Sequence, residues 1–153
     1  VLWFKPHSTA QHKFLAAKTP IQAAFCGNQF GKTCASVVKA YIQHLPNEVL
    51  PKHLQPYKRV THTDPVVGWL NCPSSGVLES VIKPELQKWA PRDFLFGGSF
   101  GKAYQKQEKV LRFKDGGRLH LFSYEMDADK LVGAQVDYVI FDEPPPLAHW
   151  NES

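Results

Sequence analysis

The sequence has few cysteines, no long apolar run and no internal repeat. Its three cysteines form no C-x-x-C pair, and one of them would stay unpaired in any set of disulfides. This argues against a disulfide framework and against a structural zinc site. We therefore expect reduced thiols at Cys26, Cys34 and Cys72, with a role in core packing.

Segments that would insert into a membrane are also missing. The longest apolar runs, such as residues 23–25 and 138–141, are too short to span a bilayer, and the N-terminal residues lack the pattern of a secretory signal. We therefore expect a cytoplasmic protein without a membrane partner. The length of 153 residues, with 43% hydrophobic and 21% charged residues, is typical of one soluble domain. The net charge of +4 would suit nucleic acid but does not identify it.

An apolar segment, a glycine-containing turn and a helical pattern follow one another between residues 21 and 45. The segment IQAAFC predicts a buried strand, and the spacing of apolar residues from Thr33 to Leu45 predicts a helix that ends before Pro46. A strand, a flexible turn and a helix N-terminus are the parts of a phosphate-binding P-loop. The alternative is an ordinary strand-to-helix turn.

The stretch CGNQFGKTC supplies the chemistry that a P-loop needs. Gly31 would let the backbone approach the phosphates, Lys32 would neutralise the charge of the β- and γ-phosphates, and the Thr33 hydroxyl would bind Mg²⁺. The standard pattern has glycine five positions before Gly31, where this chain has Cys26 followed by Gly27. The residues predicted to contact the nucleotide are Cys26, Gly27, Asn28, Gln29, Phe30, Gly31, Lys32, Thr33 and Cys34.

A second apolar strand, predicted over residues 138–141, runs directly into Asp142 and Glu143. In P-loop ATPases, an aspartate at the end of such a strand holds Mg²⁺ through water, and a neighbouring glutamate activates the attacking water. Strands often end in solvated acids, which is the alternative for this pair alone. Together with the turn some 110 residues upstream, the pair predicts a site for ATP and Mg²⁺.

Two more residues are candidates for the same site. The amide of Gln11 has one donor and one acceptor group that could pair with an adenine edge, and the alternative is a solvent-exposed helix residue. Lys130 could bring a positive charge close to a γ-phosphate, and the alternative is a residue of a solvated turn.

Further elements complete the predicted fold. Residues 66–72 predict a buried strand, residues 77–89 a helix that Pro84 should kink or split, and residues 110–124 a hairpin around the turn KDGG. The proline-rich residues 46–65 predict a long surface loop. We expect an α/β P-loop NTPase with a mainly parallel central sheet, in which the phosphate loop and the acid pair lie at the carboxyl ends of neighbouring strands.

The motifs GNQFGKT, SYE and DKLVGAQVDYVIFDEPPP resemble the ATPase domain of the large terminase subunits of tailed phages and prophages. Those proteins package double-stranded DNA into a procapsid. The resemblance implies a fold of the ASCE or RecA-like type, ATP binding by Gly27 to Thr33, Mg²⁺ binding by Thr33 and Asp142, catalysis by Glu143 and an adenine contact by Gln11. It also implies a small terminase subunit and a portal protein as partners, a homo-oligomeric ring, and a location in the host bacterial cytoplasm.

The chain also departs from that family pattern. Many terminases have an arginine immediately before the glycine that matches Gly133, and this chain has Val132 there, so Lys130 is the nearest cation. The family continues after the acid pair with further strands, a coupling motif and a nuclease domain, whereas this chain stops ten residues after Glu143. We therefore expect residues 1–153 to form one partial ATPase domain, incomplete at its C-terminal side and without a nuclease domain.

Several alternatives stay open at this point. A DNA or RNA helicase shares the P-loop, the acid pair and an upstream glutamine, although the DEPPP ending argues against it. A nucleotide-binding remnant or assembly module without turnover is the other alternative. Basic residues outside the motifs are candidate contacts to the DNA backbone, or else a solvated basic face. These residues are Lys52, Lys58, Arg59, Lys102, Lys106 and Lys109.

Overall fold

The computed structural model describes residues 4–19, 31–125 and 135–144, and these residues build a five-stranded sheet. The strands are β1 (Val67–Cys72), β2 (Tyr104–Gln105), β3 (Val110–Arg112), β4 (Arg118–Ser123) and β5 (Tyr138–Phe141). They lie in the order β2-β3-β4-β1-β5. Strand β1 is parallel to both β4 and β5, whereas β2 pairs with β3, and β3 with β4, in antiparallel fashion.

The sheet of the described residues is therefore mixed, which corrects the expectation of a mainly parallel sheet. The cause is the hairpin around residues 114–117, because a short turn can join only antiparallel strands. Its turn is closed by the amide of Phe113, which donates to the carbonyl oxygen of Gly117 at 2.9 Å. The predicted hairpin and the predicted strands at β1 and β5 are confirmed, as is the α/β class. The strand predicted over residues 21–26 lies outside the described residues.

The helices lie mostly between the strands in sequence. They comprise α1 (Thr9–Ala16), α2 (Lys32–His44), α3 (Ser75–Val77), a π-helix (Leu78–Ile82), α4 (Lys83–Trp89), α5 (Phe100–Ala103) and the 3₁₀ turns Gln55–Tyr57, Arg92–Phe94 and Phe96–Gly98. Helix α2 packs against α1 and against the helical residues 78–89, and it is buried from Ala35 to His44. The predicted helix over residues 33–45 is confirmed.

Pro84 changes the type of helix around it without ending the helix. Segments α3, π and α4 follow one another without interruption from residue 75 to residue 89. In a regular α-helix the proline ring would clash with the carbonyl four residues earlier. The wider π-helix ends at Ile82, two residues before Pro84, and the amide of Lys83 donates to the carbonyl oxygen of Leu78. The predicted split is thus a local change from α to π geometry.

The segment from residue 46 to residue 65 is packed onto the core, which corrects the prediction of a surface loop. It buries the side chains of four apolar residues, Leu50, Leu54, Tyr57 and Val60. Two of its three lysine and arginine residues, Lys58 and Arg59, also face the protein, whereas Lys52 is exposed. The Lys58 ammonium donates to the carbonyl oxygen of Leu45 at the end of α2, and the Arg59 guanidinium donates to the carbonyl oxygens of Ala16 and Ala17 at the end of α1. Basic side chains thus satisfy carbonyl groups that helix ends leave unpaired.

A glycine in β1 makes room for a partly buried tyrosine in β5. Gly68 is the register partner of Tyr138, and a Cβ atom at Gly68 would lie 2.1 Å from Cζ of the tyrosine ring. Moving the ring would break the hydrogen bond in which its hydroxyl donates to the carbonyl oxygen of Ala40 at 3.3 Å. We expect Gly68→Ala to lower the free energy of unfolding by about 2 to 3 kcal/mol, measured by urea unfolding.

The matched control is Gly101→Ala. Gly101 lies in α5, and a Cβ atom there would have no neighbour within 4 Å. The same substitution should therefore be neutral or stabilising, by up to about 1 kcal/mol, since alanine favours helix more than glycine does. Equal stabilities of the two variants would show that the Tyr138 ring does not constrain Gly68.

Candidate functional site

Two polar side chains that are far apart in sequence meet at the carboxyl edge of the parallel strands. The Thr33 hydroxyl donates to Oδ2 of Asp142 at 3.0 Å. Thr33 lies in the first turn of α2, and Asp142 directly follows β5. The amide of Asp142 donates to the carbonyl oxygen of Asn71 at 2.9 Å, which continues the pairing of β5 with β1 by one residue. The structure thus brings together the two residues that the sequence predicts as Mg²⁺ ligands.

The Asp142 carboxyl is only partly satisfied by its neighbours. Its Oδ1 atom is buried and has no hydrogen-bond partner in the part of the chain that the structure describes. Burial is the largest influence on its pKa and raises it, the Thr33 hydroxyl lowers it, and the nearby Glu143 and Lys32 raise and lower it respectively. A buried carboxylate oxygen without a donor is costly, and a cation would remove that cost. The donor set, a hydroxyl and a carboxylate, fits Mg²⁺.

Gly31 gives α2 an open N-terminus. Its φ is +70°, in the left-handed region that favours glycine, and a Cβ atom there would lie 2.6 Å from Nε2 of Gln11. No side-chain hydrogen bond caps this helix of thirteen residues at Gly31. Its first amide groups and the positive end of its dipole therefore suit an anion such as a phosphate group.

Gln11 is buried against this turn, with only 6% of its surface exposed. Its Oε1 accepts the amide of His7 at 2.8 Å, and its Nε2 donates to the carbonyl oxygen of Gly31 at 3.4 Å. The alternative of a solvent-exposed helix residue is therefore wrong, and Gln11 joins the N-terminal segment to the start of α2. The contact of Gln11 with adenine stays a prediction.

An open cavity of about 930 Å³ adjoins His7, and neither Thr33 nor Asp142 lines it.

Lys32 and Glu143 flank the Thr33–Asp142 contact. Lys32 is the first residue of α2 and is half-buried, and its charge acts on the Asp142 carboxyl. Glu143 is exposed and directly follows Asp142. A cation and an exposed carboxylate are groups that phosphate transfer to water requires. Their catalytic roles stay predictions.

Part of the predicted site falls outside the described residues. This applies to Cys26, Gly27, Asn28, Gln29 and Phe30 of the turn and to Lys130, so their predicted contacts with the nucleotide stay predictions.

The two cysteines that the structure describes are free thiols. Burial raises the pKa of Cys34 and that of Cys72 to about 11, with nearby acidic residues adding to the shift. Both thiols are therefore protonated at neutral pH and are not nucleophiles. Cys72 lies in the core and Cys34 packs against it, as expected from the sequence.

Sequence reasoning did not assign a role to the residues that end β1 and β4. The Tyr124 hydroxyl donates to the carbonyl oxygen of Glu143, and the Tyr124 amide donates to the carbonyl oxygen of Cys72 at 3.0 Å. Asn71 is 1% exposed, and its Nδ2 has no partner among the described residues. Polar residues directly after an apolar strand, as in Ser123 to Glu125, were the available signal, because parallel strands end at the same edge of a sheet.

Two kinds of feature are absent from the described residues. Residues 4–19, 31–125 and 135–144 contain no group of three or more histidine, cysteine, aspartate or glutamate residues that could hold a metal ion. The helices in these same ranges are all too short or too polar to cross a membrane.

Comparison with known proteins identifies one related family. The model of the family "Terminase large subunit, T4likevirus-type, N-terminal" matches residues 24–150, which is most of the chain. No curated protein and no solved structure gives a significant match. The matched range includes the start of α2, the end of β4 and the acid pair after β5.

Proposed function

Since the chain belongs to the family of T4-type terminase large subunits, of which it represents the N-terminal part, we propose that it is the ATP-hydrolysing domain of a DNA-packaging motor. The contact of the Thr33 hydroxyl with the Asp142 carboxylate is the observation that carries this proposal. It joins the helix that would receive the phosphates to the strand that would present the acid pair.

In this proposal the residues of the chain divide the work of ATP hydrolysis. The amide groups at the start of α2 and the Lys32 ammonium would hold the phosphates, and Thr33 and Asp142 would hold Mg²⁺. Bound Mg²⁺ supplies positive charge that offsets the charge of the phosphate oxygens. Glu143 orients a water molecule in line with the γ-phosphorus and accepts its proton. The bond between the γ-phosphorus and the bridging oxygen breaks as the new bond to water forms, and ADP leaves.

Double-stranded DNA is the proposed partner of the motor. Lys58 and Arg59 are poor candidates for contacts to DNA, because both donate to carbonyl oxygens of the chain itself. Lys106 is exposed and lies with Lys109 between β2 and β3. Since β3 runs antiparallel to β4, this turn lies at the same edge of the sheet as Asp142. These two lysines are the better candidates, together with the exposed Lys52 and Lys102.

The remaining partners are proposals from the family alone. They are a small terminase subunit, a portal protein and further copies of the chain in a ring, within the bacterial cytoplasm.

The proposal is tested by measuring phosphate release from ATP in the presence of Mg²⁺, with and without duplex DNA. We expect turnover that DNA stimulates and that Lys32→Ala lowers by about two to three orders of magnitude, because a charge that stabilises the transition state is removed. The matched control is Lys114→Ala. Lys114 is exposed and lies in the hairpin turn at the opposite edge of the sheet, so this variant should match the wild type.

The binding of a fluorescent ATP analogue separates the proposal from the alternative of a non-hydrolysing module. Binding that depends on Lys32, without any phosphate release, would support that alternative. The absence of both binding and release in the wild type would refute the nucleotide site itself.

A further inference from the structure

The end of β4 contacts both of the segments that leave the sheet beside it. The Tyr124 amide donates to the carbonyl oxygen of Cys72, at the end of β1, and the Tyr124 hydroxyl donates to the carbonyl oxygen of Glu143, beyond the end of β5. Tyr124 thus holds the last residue of one strand with its backbone and the proposed catalytic residue with its side chain.

The order of the strands explains why a long side chain makes the contact with the Glu143 carbonyl oxygen. Strand β1 lies between β4 and β5, and neighbouring strands are about 4.8 Å apart, so β4 and β5 are separated by about 10 Å. A side chain from the end of β4 must therefore reach across the end of β1. The side chain of Tyr124 covers part of this distance, and its ring lies 6.4 Å from the ring of Phe141, measured between centroids. Phenylalanine would retain the ring but would lack the donor.

The residues before and after Tyr124 both contact Ser75. The Ser123 hydroxyl lies 3.3 Å from the Ser75 hydroxyl, and Oε2 of Glu125 accepts the amide of Ser75 at 2.8 Å. These bonds tie the end of β4 to the helical residues that begin at Ser75. The backbone of Tyr124 is therefore fixed, which is required of a residue whose side chain positions another residue.

Glu143 needs such support because it lies beyond the sheet. Among the described residues, the ladder between β1 and β5 ends at the amide of Asp142, which donates to Asn71. Glu143 is exposed and follows this last ladder bond. Without a further contact its backbone could rotate and carry the carboxylate away from the attacking water. A misplacement of about 1 Å is enough to reduce a rate by up to about a hundredfold.

We propose that Tyr124 is a positioning residue, which fixes the backbone of Glu143 so that its carboxylate orients the attacking water. This inference rests on the proposed function and adds a residue to it. Tyr124 does not touch ATP or water in this account and acts only through Glu143.

The test compares Tyr124→Phe with Tyr41→Phe. Tyr41 is a matched control, because its hydroxyl also donates to a backbone carbonyl, that of Leu86 at 2.7 Å, but it does so in the core. We expect Tyr124→Phe to lower kcat for phosphate release by about tenfold to a hundredfold, with KM for ATP changed less than about twofold. Tyr41→Phe should lower the melting temperature and leave kcat unchanged.

Hydrogen exchange of the backbone amides provides a second readout that does not depend on turnover. In Tyr124→Phe, the amides of residues 141–143 should exchange faster, while those of residues 35–43 in α2 should keep the wild-type rate. Tyr41→Phe should leave the exchange of residues 141–143 unchanged under conditions where the fold is intact.

The two readouts separate failure of this inference from failure of the proposed function. An unchanged kcat, or unchanged exchange at residues 141–143, in Tyr124→Phe would overturn the positioning role while leaving the ATPase proposal intact. If the wild type shows no turnover, the ATPase proposal fails. Exchange at residues 141–143 then still decides whether Tyr124 holds the Glu143 backbone.

Discussion

Replacing Glu143 with glutamine should lower kcat for phosphate release by about 10²-fold to 10⁴-fold and leave the affinity for ATP close to that of the wild type. Glutamine has nearly the same shape as glutamate, but it cannot accept the proton of the attacking water. Binding should survive because the proposed contacts to the phosphates come from the start of α2, where Lys32 and Thr33 lie. Single-turnover phosphate release and equilibrium binding of an ATP analogue measure the two effects separately.

The control for this prediction is Glu48→Gln. Glu48 is exposed and follows α2, at the end of that helix away from Thr33 and Asp142. The same change from glutamate to glutamine should have no effect on turnover there. If Glu143→Gln hydrolysed ATP at the wild-type rate, the water would be activated by another group and the assignment of Glu143 would be wrong.

Acid should destabilise the fold through His44, a histidine of α2 that is 3% exposed. Its ring stacks on that of Phe113, with 4.1 Å between centroids and 7° between planes. Neither ring nitrogen has a hydrogen-bond partner among the described residues. Burial lowers the pKa of His44 from 6.5 to about 3; Asp137 opposes this shift and Lys58 adds to it. His44 is therefore neutral in the folded chain at neutral pH.

The sign of the effect follows from proton binding in the two states. Between pH 6.5 and pH 3 the unfolded chain binds a proton at His44 that the folded chain does not bind. The contribution of His44 to stability is thus complete above pH 6.5 and is lost as the pH falls below it, by about 1.4 kcal/mol per pH unit. Between pH 6.5 and pH 4.5 the free energy of unfolding should fall by about 2 to 3 kcal/mol from this group.

Urea unfolding of the wild type and of His44→Phe between pH 7.5 and pH 4.5 measures this contribution. Phenylalanine can stack on Phe113 in the same way but has no group that titrates. The free energy of unfolding of the variant should therefore fall less steeply with decreasing pH. The difference in slope should correspond to about one bound proton. Identical slopes for the two chains would mean that the folded state accommodates a charged His44.

Much of the local structure and the basic outline of the site could be predicted from the sequence. The apolar run of β1, the turn KDGG and the helical spacing after Thr33 each depend on residues close together in the chain, and each prediction is confirmed. Thr33 and Asp142 were predicted to bind the same Mg²⁺, which stays a prediction, and the structure shows that their side chains are in contact. The contact is consistent with the sequence pattern, because the ends of parallel strands and the starts of the helices that follow them lie at one edge of a sheet.

Other features depended on contacts that no local pattern contains. Lys58 and Arg59 looked like candidates for DNA contacts, but they donate to the ends of helices that lie 13 residues and about 42 residues away in sequence. Gln11 is buried by Gly31, twenty residues further along the chain. In each case a polar group is satisfied by a distant backbone carbonyl, and composition cannot show which carbonyl that is.

The sequence by itself therefore determined the elements and the chemistry that they carry: a helix that begins with lysine and threonine, and a strand that ends in two acids. The tertiary structure decided the order of the strands, which makes the described sheet mixed and places β1 between β4 and β5. That order lets Tyr124 reach Glu143 across the end of β1. The physical reason is that strand propensity depends on neighbouring residues, whereas strand order depends on which faces and edges bury the most apolar surface together.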